Sequence, residues 1–287
     1  MRAPFERTIE SGGARLRVVG RPIADPRGAV VIVPGFAEHA GRYARLMRDL
    51  GARGYASYTY DPRGHGRSSG ARGDAPSWAV LAADLSAVVD DLEAHGDLAP
   101  RRALWASSMG ALLAAEWLPA QPRGRFHGAV FVAPYLAPAI AHPAGKVLLA
   151  RTVGALLHWF AQPHGLRGRE MSRDPAVIAA YDADPELNRV MSARYFNEMR
   201  AAQARVAEKG ADGLDIPLLL VQGGEDPIAD LDTAKAYMRT ATAPGSDTRV
   251  YPGLLHEPLN EIDGVRVFAD VARWLDHNVL DVTRHGP

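Results

Sequence analysis

Short apolar runs recur along the chain, separated by amphipathic stretches of ten to twenty residues. Residues 29–33, Ala-Val-Val-Ile-Val, are apolar throughout, the pattern of a strand covered on both faces, and Pro34-Gly35 closes the run. Residues 43–53 place Leu46 and Leu50 at i and i+4, which predicts a helix. The same reasoning predicts a strand over 56–60, a helix over 77–93, a short strand ending near Ala106, a helix running to Trp117, and a strand over 128–132. Ahead of these, 5–10 and 14–21 read as two strands joined at Gly12-Gly13, a hairpin. Such alternation argues for a parallel α/β sheet. It breaks after Pro134. From 135 to 209 there is helical periodicity and loop signal but no convincing strand. It resumes with a strand over 217–221, a helix from Leu231, a strand over 248–251 and a last helix over 265–280. The expected organisation is a core of residues 1–134 and 210–287, a mostly parallel sheet flanked by helices. A helical insertion, 135–209, would sit above the strand ends, where such sheets bind ligands.

Composition narrows the chemistry. A hydrophobic content of 47% is that of a soluble globular protein with a substantial core, and 33 basic residues balance 33 acidic ones, which gives no footprint for nucleic acid. With no cysteine there is no thiol nucleophile, disulfide framework or thiolate metal site. The 10 histidines are scattered without a His-x-x-x-His pair, so no metal is expected, and residues 63–66 lack the Gly-Lys-Ser/Thr ending of a phosphate loop. No run reaches the roughly 18 apolar residues of a membrane span. The first ten residues have no apolar signal region, so the expectation is a cytoplasmic protein, at most peripheral to a membrane.

The strand ending at Ala106 leads through Ser107-Ser108-Met109-Gly110 into a helix. This small-x-Ser-x-Gly turn is a nucleophile elbow with Ala106 in the first glycine position. The residues two before and two after the nucleophile must be small. For Ser107 they would be Trp105 and Met109; for Ser108 they are Ala106 and Gly110, which selects Ser108. An elbow serine needs a histidine to take its proton and an acid to orient that histidine, in the chain order Ser, acid, His. Val221-Gln222-Gly223-Gly224-Glu225-Asp226 supplies an acid just after a late strand. Asp226 is preferred, with Glu225 as the alternative one residue of loop register away. His256, in the loop after the last strand, is the histidine, because His277 and His285 fall in the last helix and the tail.

With these residues in place, the chain resembles the monoacylglycerol lipase and lysophospholipase group of α/β-hydrolases. The resemblance rests on 34–43 (Pro-Gly-Phe-Ala-Glu-His-Ala-Gly-Arg-Tyr), the Arg63-Gly64-His65-Gly66-Arg67-Ser68 loop, the elbow, Gly253-Leu254-Leu255-His256-Glu257, and Ser172-Arg173-Asp174-Pro175 followed by Tyr181. It implies an α/β-hydrolase fold with a helical cap, a Ser108–His256–Asp226 triad, and an oxyanion hole from the backbone N–H groups of Phe36 and Met109. Glu38 and Arg42 match positions bordering the alcohol part of a glycerol ester; a purely structural ion pair is the other reading of the two. The chain departs from the group where a histidine is usual, at Ser107 before the nucleophile and at Pro34 ahead of the oxyanion donor, which bears on substrate identity more than on hydrolysis.

The resulting expectation is a cofactor-independent serine esterase acting through an acyl-enzyme on a small lipid ester, monoacylglycerol first. A lysophospholipase or general carboxylesterase is the alternative, and a catalytically silent binding module the non-enzymatic one. Residues 146–160 place Leu148, Leu149, Leu156, Trp159 and Phe160 on one helical face. That face would either make transient contact with a lipid surface or pack the cap onto the core.

Overall fold

The computed structural model describes residues 3–141 and 160–280, together with Gly145 and Thr152. Its strands are β1 (Phe5–Ser11), β2 (Ala14–Arg21), β3 (Gly28–Val33), β4 (Tyr55–Tyr60), β5 (Arg102–Ser107), β6 (Ala129–Val132), β7 (Ala161–Pro163), β8 (Val190–Ser192), β9 (Leu218–Gly223) and β10 (Asp247–Tyr251). Eight of them form one sheet in the order β1-β2-β4-β3-β5-β6-β9-β10, in which β2 alone runs antiparallel to its neighbours.

The continuous apolar runs become the central strands because both faces are covered. In β3, Ala29, Val31 and Val33 enter one core cluster and Val30 and Ile32 the other. The second cluster lies under α1 (Ala44–Ala52) and α8 (Gly264–Leu275), with Met47, Leu50, Val267 and Val271 pointing inward. The first lies under α2 (Trp78–Ala94), α3 (Met109–Trp117) and α7 (Leu231–Met238). The last predicted helix is really two pieces: α8 ends at Leu275 and passes into a π-helical turn, Asp276–Leu280.

Between β6 and β9 the chain forms α4 (Gly168–Met171), α5 (Pro175–Ala183) and α6 (Ala193–Lys209). Asp174 caps α5 by accepting the Ala176 N–H at 2.8 Å, with Pro175 at its first position. The expectation of no strand here is corrected: β7 and β8 pair antiparallel, Ala161 opposite Ser192. Three residues per strand are too few for an alternating pattern to show. α6 buries Tyr195, Met199, Ala202 and Val206 in the cluster shared with α2 and α3, so the end of this segment packs directly on the sheet's own helices. Of the expected apolar face at 146–160, only Phe160 falls among the described side chains; Leu148, Leu149, Leu156 and Trp159 lie outside the described residues. Among the described residues no helix is long and apolar enough to cross a membrane.

Candidate active site at the carboxyl ends of the strands

Ser108 sits between β5 and α3 with φ 51° and ψ −118°, a left-handed conformation for a non-glycine residue. The turn is held because the Ser108 N–H donates to the Val132 carbonyl at 2.8 Å and its own carbonyl accepts from Ala111 and Tyr135. Gly110 has no room for a side chain. A Cβ there would lie 2.4 Å from the Pro34 carbonyl oxygen and 2.6 Å from that of Val33. The nearest crowding comes from the end of β3.

His256 stands over this serine. Its Nδ1 lies 2.9 and 3.0 Å from the two Asp226 oxygens and its Nε2 lies 2.9 Å from Ser108 Oγ. A carboxylate only accepts, so Nδ1 carries the proton and Nε2 accepts from the serine hydroxyl. Asp226 is held in turn: its Oδ1 accepts the Ile228 and Ala229 N–H groups at 2.8 and 3.0 Å. Glu225, the alternative acid, is exposed. Gly223 lets the two loops meet, since a Cβ there would lie 2.2 Å from the Leu254 and Leu255 carbonyls. Burial opposes a charge on His256, but the charge and hydrogen bond of Asp226, joined by Glu257 and Glu38, outweigh it and raise the histidine above its ordinary value.

Phe36 follows β3 and Met109 opens α3, where first-turn N–H groups lack an intrahelical acceptor. Both border the same cavity as Ser108 and His256. The Phe36 ring is fixed edge-on among His65, His164 and Tyr195, with centroids 5.2–5.5 Å away. Burial pushes His65 down to about 4, so it serves here as a neutral packing ring. No spacing in the sequence links these rings.

Glu38 and Arg42 form an ion pair, Arg42 Nε donating to Glu38 Oε1 at 3.1 Å. The pair belongs to a larger network. Glu38 Oε2 accepts from the Gly35 N–H at 2.8 Å and the Tyr43 hydroxyl at 2.6 Å, tying down the loop that carries Phe36. Arg42 also reaches across to Glu257 at 2.7 and 2.9 Å and lies over the Tyr181 ring at 4.7 Å. Burial works against the Arg42 charge, yet Glu257 and Glu38 dominate and hold it charged. Sequence reasoning missed Glu257 as a partner 215 positions away. The segment between β6 and β9 grips the same loop: the Asn188 N–H donates to the Ala37 carbonyl at 3.0 Å and His39 Nε2 donates to Asp184 at 2.9 Å.

Ser108, His256, Phe36, Met109, Glu38, Arg42 and Glu257 border one cavity of about 510 Å³, within the range of small-molecule sites. Glu38, Arg42, Tyr43, Glu257 and Asn260 make a polar wall next to His256. Leu166, Met191, Phe196, Met199 and Ile228 line it with apolar surface, four of these five from the segment between β6 and β9. Among the described residues no group of three or more His, Asp or Glu is placed to hold a metal ion.

Comparison with known proteins fits this geometry. Residues 24–263 match the model of the Hydrolase_4 family, described as serine aminopeptidase, S33. The chain belongs to that family. It is a serine hydrolase of the lipase and esterase kind. It is 31% identical over 281 residues to a monoacylglycerol lipase of Mycolicibacterium smegmatis, covering 92% of this chain and 94% of that one. It is 27% identical to the human monoglyceride lipase, covering 93% and 88%. A soluble variant of monoglyceride lipase from Saccharomyces cerevisiae, solved with a substrate analogue, shares the fold with a TM-score of 0.83 over 97% of each chain at 22% identity.

Proposed function

We propose that this chain hydrolyses carboxylic esters of a single acyl chain, monoacylglycerols first, through an acyl-enzyme on Ser108. The observation that carries the reading is the hydrogen-bonded line Asp226–His256–Ser108 at the floor of a largely apolar cavity with one polar wall. His256 takes the Ser108 proton as Oγ attacks the ester carbonyl and passes it to the departing alcohol; water then repeats the sequence on the acyl-enzyme. Asp226 fixes the tautomer and balances the imidazolium. The Phe36 and Met109 N–H groups receive the negative oxygen that forms during attack.

Residues 135–209 act as a cap over the core of residues 1–134 and 210–287, their methionines and aromatic rings enclosing the acyl chain. The exposed side chains of Ile140 and Phe160, 77% and 40% accessible, favour lipid-surface contact on the cap's side. The names of the relatives support the monoacylglycerol reading. Fluorophosphonate labelling tests the nucleophile: Ser108→Ala abolishes labelling and hydrolysis, Ser107→Ala keeps both, and labelling that persists in Ser108→Ala refutes the assignment. A panel of monoacylglycerols, p-nitrophenyl esters and lysophospholipids then tests the substrate.

A further inference from the structure

During hydrolysis the leaving alcohol receives a proton from His256 Nε2, so it must lie within hydrogen-bond reach of that nitrogen. The wall on this side of the cavity is polar and contiguous. Glu257 follows His256, and its carboxylate is held by Arg42 and, at 2.8 Å, by Asn260 Nδ2. The Arg42 guanidinium closes the chain back to Glu38. All four side chains border the cavity, and the Glu257 side chain keeps 13% of its surface accessible. One guanidinium stands between two carboxylates, so the wall has a formal charge of −1. Each carboxylate offers about four lone-pair sites, and Glu257 uses three, two toward Arg42 and one toward Asn260. A hydroxyl can occupy the fourth, whereas a phosphate would meet uncompensated negative charge in a partly desolvated site.

We propose that Glu257 is a specificity residue for the alcohol side of the reaction. It accepts a hydroxyl of the leaving alcohol and, through the net negative charge it gives this wall, selects esters of neutral polyols over esters whose alcohol carries a phosphate. The proposal rests on the ester-hydrolase reading. It accounts for the Glu38–Arg42 pair alone not setting the sign of the wall: those two charges cancel, and Glu257 supplies the excess.

The test uses the full chain and three octanoyl substrates below their aggregation limits: the glycerol monoester, the same ester with phosphate on its glycerol, and the p-nitrophenyl ester. The wild type prefers the neutral glycerol ester to its phosphate by kcat/KM. Glu257→Gln, nearly equal in size but uncharged, lowers that preference about tenfold, the size of a removed unit charge screened to roughly 1.4 kcal/mol. Asn260→Lys sets a positive charge beside Glu257, cancels the net charge of the wall and lowers the preference. A wild type that cleaves both glycerol esters equally, or a folded Glu257→Gln whose preference stays within twofold of wild type, overturns the proposal. Should Glu257→Gln fail to fold, an unchanged or raised preference in Asn260→Lys overturns it. A wild type that cleaves none of the three esters and takes no fluorophosphonate refutes the ester-hydrolase reading instead.

Discussion

Asp226→Asn changes one atom's chemistry at almost constant volume, and the contacts of that atom determine the outcome. The Asp226 side chain is 1% exposed and has two unlike oxygens: Oδ1 accepts two backbone N–H groups and lies 3.0 Å from His256 Nδ1, while Oδ2 faces Nδ1 at 2.9 Å and the Gln222 amide at 3.3 Å. The asparagine carbonyl must stay with the two backbone donors, which places its NH₂ at the Oδ2 position. That NH₂ donates to Nδ1 and drives the imidazole proton onto Nε2, where it faces Ser108 Oγ. The base is then occupied before reaction begins. The variant also loses the charge opposite the imidazolium of the transition state. Two unit charges 2.9 Å apart at an effective dielectric of 20 interact by about 6 kcal/mol, which sets the expected loss in kcat at about 10⁴-fold. The assay is p-nitrophenyl octanoate hydrolysis at the wild type's plateau pH, with melting temperature as the folding control. Glu225→Gln, altering an exposed side chain, stays within about twofold. A folded Asp226→Asn within tenfold of wild type, or a larger loss in Glu225→Gln, refutes the reasoning.

The raised pKa of His256 places the acid limb of kcat/KM above pH 6.5, because the neutral imidazole is the working form; a midpoint at or below 6.5 contradicts it. The same shift stabilises the fold in full below 6.5 and is lost as pH rises through the raised value, so the melting-temperature gap between wild type and His256→Gln narrows with increasing pH. Gly110→Ala drives a methyl into the Val33 and Pro34 carbonyls and costs about 3 kcal/mol in urea unfolding, whereas the same change at an unobstructed helix position stabilises by up to about 1 kcal/mol. Arg42→Ala leaves Glu38 and Glu257, 14% and 13% exposed, without their shared partner; it costs about 3 kcal/mol and reduces glycerol-ester turnover more than p-nitrophenyl ester turnover, whereas equal losses would mark the pair as purely structural.

The central strands were legible, and the proposed triad could be chosen, because each leaves a local mark. A strand covered on both faces needs a run such as 29–33, a strained nucleophile turn needs small neighbours, and the acid and histidine come after strands in a fixed order. The elbow shows the limit of that legibility: the rule of small neighbours selected Ser108, and the atoms that crowd Gly110 belong to the end of β3. The β7–β8 ribbon left no mark because three residues cannot display an alternation. Phe36 was proposed by resemblance, and the rings that fix it come from 65, 164 and 195, which nothing local connects.

What remained hidden shares a physical cause. The site is built from loops, whose N–H groups lack the ladder partners of a strand or helix and must be satisfied otherwise. Carboxylates supply those partners. Asp61, fully buried, accepts the N–H groups of Ala40 at 2.6 Å and Arg67 at 2.8 Å. Glu38 accepts that of Gly35, and Glu261, 2% exposed, accepts those of Leu255 and Arg173, each at 3.0 Å. Asp226 does the same in its own turn. Each acid thereby fixes a loop that carries or borders a reacting group. In sequence Asp61 and Glu261 stand among 33 acidic residues with nothing to distinguish them, and Glu38 and Asp226 show only their other expected roles, since this task depends on which backbone groups the folded chain leaves without partners. The proposed triad was chosen from order and spacing; the contacts by which acids hold these loops in place become visible only once the strands have been brought side by side.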